Sequence, residues 1–269
     1  MSSPNSLVSE PILGFSVAVN SFAEQIDQIM EWGQRHLSRI ICVANVHMLM
    51  EARWNPDFAQ VLSQADMLTP DGMPLVWTLN LLRKRRHDRV AGIYILREVC
   101  QRASRTGLGV YFLGTDAPTL ASMRQRLRQE FPDLVIAGMA PLPFRPPTPE
   151  EDHQVVQAIN DSGAGVVFVA LGCPKQETWM HQHRHKINAT MVGLGGVFPI
   201  YAGLKKHAPR WVQQSGLEWL YRLVQEPGRL WTRYARTIPP FIYLSARQVV
   251  TTRLQRRIHR MFHGLGEQT

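Results

Sequence analysis

Cysteine is scarce in this sequence, and its cysteines show no paired spacing. Only Cys42, Cys100 and Cys173 occur among 269 residues, an odd number without a CxxC motif. A chain of this length, 45% hydrophobic, can bury a full core without covalent cross-links. We therefore expect no structural disulfides and a location in a reducing cytosol.

Long uninterrupted apolar runs are also missing. No stretch approaches the roughly 20 consecutive apolar residues that a membrane-spanning helix needs. The N-terminus, MSSPNSLVSEPILGF, lacks the basic start and apolar centre of a signal peptide. The sequence therefore predicts neither a membrane-spanning protein nor secretion through a cleaved signal peptide.

Acidic residues are rare in the C-terminal segment, residues 203–269. It contains twelve basic and three acidic residues, so it accounts for the whole net charge of +9. Tryptophans and tyrosines alternate with its arginines in an amphipathic helical pattern, which suits an anionic membrane surface because the rings settle among headgroups and guanidinium groups meet phosphates. A basic helix packed on the body is the alternative. Nucleic-acid binding is not predicted, and no oligomeric state is predicted either.

Six apolar, β-branched runs alternate with helical patterns along the rest of the chain. Near-continuous apolar strands separated by helices are typical of a parallel sheet covered on both faces, so we predict an α/β, Rossmann-like fold. The predicted strands lie within residues 12–19, 39–45, 108–114, 133–139, 164–172 and 189–196.

Helices are predicted between these strands and beyond them. One begins at Ser21, with Glu24 at capping-box spacing. Others are predicted at 92–106, 117–130, 150–161 and 175–186, with a proline-rich loop at 141–149. The C-terminal segment should form a helix from about Gly216 to Arg236, broken at Pro227, and another after Pro239 and Pro240. We predict a catalytic domain, residues 1–202, followed by a basic, membrane-associating helical appendage, residues 203–269.

Ligands of open parallel sheets bind beyond the carboxyl ends of the strands, so the segments that follow the apolar runs are examined first. Asp71 lies in Thr-Pro-Asp-Gly, where Thr69 and Gly72 flank it, ahead of an apolar helix. A carboxylate fixed by a tight turn at a cleft can act as a general base. An ordinary Pro-Asp-Gly turn is the alternative.

Two glycine-containing segments follow later strands. Gly172 leads through Pro174 to Lys175 at a predicted helix start, where free backbone N–H groups could bind a phosphate or diphosphate. An ordinary strand-to-helix connection explains these residues as well. Gly195 and Gly196 could cradle a phosphate or sugar, or could allow close strand-to-helix packing.

Familiar cofactor motifs are missing. The glycines near 195 do not form GxGxxG, which argues against a nucleotide-dependent oxidoreductase. There is no Asp-x-Asp pair that would hold a divalent ion against a nucleotide diphosphate. Glu177, His181 and His185 recur every four residues, but a polar helix face is the more common explanation, so no metal and no cofactor are predicted.

Seven motifs in colinear order resemble the WecG/TagA/CpsF glycosyltransferase family. They are ANVHMLMEAR (44–53), ADMLTPDGMPLVW (65–77), DRVAG (88–92), LGCPKQETW (171–179), VGLGGVF (192–198), HAPRW (207–211) and GLEWLYRLVQEPGRLWTRY (216–234). The resemblance covers roughly residues 12–236. It departs from the family pattern at Val43, where some members carry a hydroxyl residue, and at Pro199, where many have Asp.

The resemblance implies an activity. Members transfer a sugar, typically N-acetylmannosamine or a related unit, from a UDP-sugar donor to a polyprenyl-diphosphate-linked saccharide acceptor, by an inverting, metal-independent reaction at the cytoplasmic face of the membrane. Asp71 matches the proposed base, and Asn45 and Gln176 match polar positions of the active site. Arg222, Arg229 and Arg233 fall within the arginine-bearing segment that meets diphosphate charge. A noncatalytic basic adaptor that binds membrane or nucleic acid remains as an alternative.

Overall fold

A single parallel sheet organises the protein. The computed structural model describes residues 7–142, 145 and 147–263. Six strands are arranged in the order β4-β3-β8-β7-β5-β6, and each neighbouring pair is parallel. Their bounds are β3, Arg39–Ala44; β4, Met67–Pro70; β5, Val110–Gly114; β6, Ile136–Ala140; β7, Val166–Ala170; and β8, Thr190–Gly193.

Twelve helices are found in the described part of the chain, and most of the predicted ones lie where the patterns placed them. The Ser21–Glu24 capping box is present, and the helix predicted at 175–186 ends early. The helices are α1, Phe22–Gln34; α2, Val46–Trp54; α3, Pro56–Ser63; α4, Met73–Arg83; α5, Gly92–Thr106; α6, Ala117–Glu130; α7, Pro149–Asp161; α8, Lys175–Gln182; α9, Phe198–Tyr201; α10, Arg210–Gln214; α11, Glu218–Gln225; and α12, Pro227–His263.

Two hydrophobic clusters cover the two faces of the sheet. Alternate residues of β7 point to opposite sides, so that Val167 belongs to one cluster and Phe168 to the other. The first cluster contains buried residues of α2, α3, α4, α8 and α12, and the second contains those of α1, α5, α6 and α9. The predicted Rossmann-like α/β sheet with helices on both faces is confirmed, as is the helical C-terminus.

The first predicted strand, residues 12–19, is wrong in its detail. The chain instead forms a separate antiparallel hairpin of β1, Ser9–Ile12, and β2, Phe15–Ala18. The turn between them holds Leu13 at a φ of 51° and Gly14 at 94°, and the glycine permits this left-handed geometry. The sixth strand of the sheet is β4, which the sequence patterns assigned to no strand.

The predicted break at Pro239 and Pro240 is also wrong, because α12 continues through both prolines. Proline removes a helical hydrogen bond, but its fixed φ is compatible with a helix. Tertiary contacts hold α12 on both sides of this point: Leu230 and Phe241 are buried, and Gln248 bonds to the backbone of Pro11 and Leu13. The break at Pro227, in contrast, is confirmed as the start of α12.

Within residues 7–142, 145 and 147–263, no helix combines the length and the apolar character needed to cross a bilayer.

Candidate active site

The carboxyl ends of β4, β3, β8 and β7 lie side by side, and the segments that follow them form one edge of the molecule. Asn45 follows β3 and Asp71 follows β4, and the backbone N–H of Asp71 donates to the carbonyl oxygen of Ala44 at 2.9 Å. A methyl group placed on Gly72 would lie 3.7 Å from Asn45. The topology therefore brings together residues that the sequence placed on separate motifs.

Arg89 fixes the position of Asp71. Its Nε donates to the backbone oxygen of Asp71 at 2.5 Å, and its Nη2 lies 3.3 Å from the Asp71 carboxylate. The same Nη2 donates at 2.7 Å to Glu218, which is the first residue of α11. One guanidinium group thus contacts two carboxylates from distant parts of the chain.

The Asp71 carboxyl occupies a sheltered position that is still open to solvent, with 28% of its side chain exposed. Burial raises the pKa of Asp71 above its ordinary value, while the charges of Arg89 and Arg222 oppose this increase. Glu218 raises the same pKa. Burial and a nearby like charge are the changes that make a carboxylate a stronger base.

The C-terminal segment packs against this edge through specific contacts. Tyr94 donates its hydroxyl to Gln213 at 2.9 Å. Gly216 has a φ of 77°, and a methyl group there would lie 2.6 Å from the Trp77 ring. A methyl group on Gly196 would lie 3.4 Å from Arg222 Nη2, so Arg222 reaches the loop that follows β8. The segment therefore places side chains at the same edge of the sheet as Asp71.

Three arginines of the segment form a cationic cluster. Burial lowers the pKa of Arg233, and the charges of Arg229 and Arg222 lower it further. Repulsion of this kind is relieved when an anion binds between the guanidinium groups. His47 lies nearby, and burial together with Arg233 and Arg236 lowers its pKa to about 4, so it is neutral at pH 7. Arg229 is also paired with Glu226, to which its Nε donates at 2.6 Å.

Gln176 joins the two glycine-rich loops. Its side-chain oxygen accepts hydrogen bonds from the N–H of Gly172 at 3.2 Å and of Gly195 at 2.9 Å, and its amide donates to Glu177 at 2.7 Å. Gln176 is only 4% exposed. The structure therefore gives it contacts within the protein, which hold the two loops together at the carboxyl edge of the sheet.

The remaining predicted residues differ in their accessibility. Asn45 caps α2 by accepting from Met48 N–H, and no acceptor among the described residues lies within hydrogen-bonding distance of its amide nitrogen. Lys175 is exposed at the start of α8. Thr69 is 0% exposed within β4, so we do not retain it among the residues that contact substrate. Gly72 and Gly172 lie at the edge itself.

The spacing of Glu177, His181 and His185 does not produce a shared helical face. α8 ends at Gln182, and His185 has a φ of 66° outside the helix. In the part of the chain that the structure describes, no three His, Cys, Asp or Glu side chains gather into a group that could hold a metal ion. Metal-independent chemistry stays a prediction.

Comparison with known proteins identifies the family. The family model described as "Glycosyl transferase WecG/TagA/CpsF family" matches residues 10–255. The chain belongs to the WecG/TagA/CpsF glycosyltransferase family. The match includes the edge with Asp71 and Arg89, and it extends through α11 into α12, so the resemblance drawn from the seven motifs is confirmed.

Two curated relatives carry the same descriptive name, N-acetylglucosaminyldiphosphoundecaprenol N-acetyl-beta-D-mannosaminyltransferase. The protein of Bacillus spizizenii is 34% identical over 203 residues, which is 75% of this chain and 76% of that protein. The protein of Bacillus subtilis is 28% identical over 216 residues, 80% of this chain and 81% of that protein. This member of the WecG/TagA/CpsF family is thus similar to two named transferases over most of its length.

Sequence reasoning gave no role to Arg89, Glu218, His47 or Glu177. Arg89 and Glu218 both lie in motifs that carried the resemblance, DRVAG and GLEWLYR. Their pairing joins residues 129 positions apart, and nothing in the sequence pattern indicates it. Membership of two family motifs was the available signal for Arg89 and Glu218, but it did not indicate that they pair.

Proposed function

We propose that this protein is an inverting glycosyltransferase that moves a sugar from a UDP-sugar to a polyprenyl-diphosphate-linked saccharide in bacterial cell-surface polysaccharide synthesis. The observation that carries the proposal is one partly exposed carboxylate, Asp71, at the carboxyl edge of the sheet, close enough to Arg222 of the C-terminal segment to be influenced by its charge. The names of the two relatives support an N-acetylmannosamine-like donor sugar and a lipid-diphosphate acceptor. Val43 and Pro199 depart from the family pattern, and we propose that these departures affect which donor sugar is bound and not the class of reaction.

The reaction needs one base and no enzyme nucleophile. Asp71 removes the proton of an acceptor hydroxyl as that oxygen bonds to the anomeric carbon of the donor. The bond from this carbon to the diphosphate oxygen breaks on the opposite side, so the configuration inverts and UDP leaves with the bonding electrons. The proton remains on Asp71 until solvent accepts it. A raised pKa favours such a transfer because it makes the carboxylate more basic.

The leaving diphosphate requires positive charge. Arg222, Arg229 and Arg233 can supply it as guanidinium groups, which match phosphate oxygens in pairs. The N–H groups at the start of α8, beside Lys175, are a second place for phosphate oxygens. Gly196 leaves room for Arg222. In this proposal the loops held by Gln176 position the donor, and the Asn45 amide donates to a sugar or acceptor hydroxyl.

We propose that the protein acts at the cytoplasmic face of the plasma membrane as a peripheral protein. Apolar residues of the C-terminal segment face solvent: Trp211, Trp231 and Tyr243 are 69%, 66% and 66% exposed. Aromatic side chains next to arginines favour the interface of an anionic membrane. The long apolar chain of a polyprenyl acceptor would hold the substrate at the same surface.

A donor screen tests this function. The full-length protein is incubated with a prenyl-diphosphate saccharide and, separately, the UDP derivatives of N-acetylmannosamine, its uronic acid, glucose and N-acetylglucosamine, with and without EDTA. We expect UDP release that requires acceptor, persists in EDTA and gives a product whose anomeric configuration is opposite to that of the donor. Retained configuration, or no release with any donor, would overturn the proposal.

A further inference from the structure

Arg89 binds its two carboxylates unequally. Its Nη2 lies 2.7 Å from the Glu218 carboxylate and 3.3 Å from the Asp71 carboxylate. The shorter bond therefore goes to Glu218 of the C-terminal segment, although Asp71 is much closer to Arg89 in the sequence. The side chains of Arg89 and Glu218 are 18% and 17% exposed. Because both charges are largely shielded from water, their attraction is stronger than that of a surface pair.

Without Glu218, the Arg89 Nη2 group would no longer be shared between two carboxylates. A guanidinium group presents parallel N–H donors that match one carboxylate in a bidentate arrangement. Arg89 already holds the backbone oxygen of Asp71 through Nε, so its Nη2 would have the Asp71 carboxylate as its nearest acidic partner. A carboxylate that is paired in this way holds its electron pairs in hydrogen bonds and accepts a proton less readily.

We propose that Glu218 is a positioning residue: by accepting the shorter bond from the Arg89 guanidinium, Glu218 leaves the Asp71 carboxylate with only the longer contact of 3.3 Å, so that this carboxylate accepts a proton more readily. The inference rests on the proposed function of Asp71 as the base. It gives the docked segment a second role besides its arginines, because docking then also prepares the base.

Several charged groups near Asp71 determine how its pKa responds to the loss of Glu218. Arg89 and Arg222 lower its pKa and Glu218 raises it, in addition to the effect of burial. His207 lies near the same group: burial lowers its pKa, with Glu218 raising it and Arg89 and Arg222 lowering it. Loss of the Glu218 charge removes one raising contribution and strengthens the Arg89 bond, so both effects lower the pKa of Asp71.

Glu218→Gln tests this inference, with Glu10→Gln as the matched control. Like Glu218, Glu10 forms an ion pair that joins the body to the C-terminal segment, here with Arg256 at 3.4 Å. It also pairs with Arg83 at 3.1 Å, and it does not contact Arg89. The Asp71 carboxyl is titrated by carbon-13 NMR in the full-length, ligand-free protein. We expect its midpoint to fall by about one pH unit in Glu218→Gln, to stay unchanged in Glu10→Gln, and to return toward the wild-type value in Glu218→Asp.

Kinetics give the second readout. With a soluble acceptor, the acid limb of the kcat/KM profile should move to lower pH in Glu218→Gln, and kcat should fall roughly three- to tenfold because the base is weaker. An unchanged Asp71 midpoint in Glu218→Gln, or an equal shift in Glu10→Gln, would overturn the inference. Sugar transfer with an unchanged midpoint would reject the inference alone, whereas a shifted midpoint without transfer by wild type would reject the proposed function alone.

Discussion

Gln176 and the loops of Gly172 and Gly195 that it joins form a clamp, and this clamp leaves little room for added atoms. A methyl group on Gly195 would lie 2.5 Å from Gln176 Oε1 and 2.9 Å from the Gly172 backbone. We expect Gly195→Ala to lower the free energy of unfolding by about 1–3 kcal/mol and to reduce kcat/KM, since the loops must separate. Denaturant unfolding and UDP release measure the two effects.

The control for that change is Gly228→Ala. Nothing lies within 4 Å of the added methyl group at Gly228, which is part of α12. Alanine favours helix over glycine by about 1 kcal/mol, so this variant should be as stable as wild type or more so. Equal behaviour of the two variants would show that the clamp does not constrain the loops.

Glu177 makes stability depend on pH. It is 0% exposed, and burial raises its pKa from 4.5 to about 7. The folded state therefore retains a proton that the unfolded chain releases, and the resulting stability is complete below pH 4.5 and is lost as pH rises toward 7. We expect the free energy of unfolding to fall by about 2–3 kcal/mol between pH 5 and pH 9 through this group.

Glu177→Gln isolates this contribution. The variant keeps a side-chain oxygen that can accept from the Gln176 amide, but it has no charge to bury. Its unfolding free energy, measured by urea denaturation across the same pH range, should show a smaller decrease than that of wild type. A decrease of the same size in both proteins would mean that another group carries the pH dependence.

At the scale of single elements, the position of the short helix α11 depends on the backbone turn at Gly216, two residues before the helix begins. Gly216 combines a φ of 77° with contact to the Trp77 ring, so alanine there would introduce both backbone strain and a clash. We expect Gly216→Ala to undock the C-terminal segment from α4 and to lower kcat/KM with a soluble acceptor. Limited proteolysis should then cleave the segment faster.

Gly107→Ala is the matched control for strain. Gly107 has a φ of 70° at the end of α5, and nothing lies within 4 Å of an added methyl group. Both variants carry the left-handed penalty of about 1 kcal/mol, but only Gly216→Ala meets an aromatic ring. If both variants expose the segment to protease equally, contact between Gly216 and Trp77 is not what docks it.

The elements themselves were predictable where local chemistry decides them. The capping box of α1, the helices α5 and α6 and the buried strands β5 and β7 follow from a capping pair, helical patterns and apolar runs. The β1–β2 hairpin was missed because its turn consists of only two residues, Leu13 and Gly14, between two short apolar strands. The continuous α12 could not be predicted because tertiary contacts outweigh the cost of two prolines. β4 was missed because only four residues form it, and Pro70 is one of them.

At the scale of the whole molecule, the C-terminal segment carries both exposed aromatic side chains and the whole net positive charge. We expect the full-length protein to float with vesicles that contain an anionic phospholipid and to float less with neutral vesicles or at high salt. Trp231→Ser with Tyr243→Ser should weaken flotation while leaving activity on a soluble acceptor. Equal flotation with neutral vesicles would contradict the electrostatic part of this account.

The site itself is a property of the whole molecule. Sequence motifs located Asp71, the glycine loops and the arginines separately, because each follows a recognisable local pattern. Their assembly depends on strand order, which places β3, β4, β7 and β8 side by side, and on the docking of a segment more than 100 residues distant from Asp71. Neither Arg89 with Glu218 nor the inaccessible position of Thr69 could be predicted from spacing alone.

The most direct test of the central claim compares wild type with Asp71→Asn. Asparagine preserves the size and position of the side chain but accepts a proton poorly. With donor and acceptor saturating, we predict that kcat for UDP release falls about 10²-fold or more while the donor dissociation constant stays within about twofold. Undiminished turnover in Asp71→Asn would contradict the claim that this carboxylate is the base.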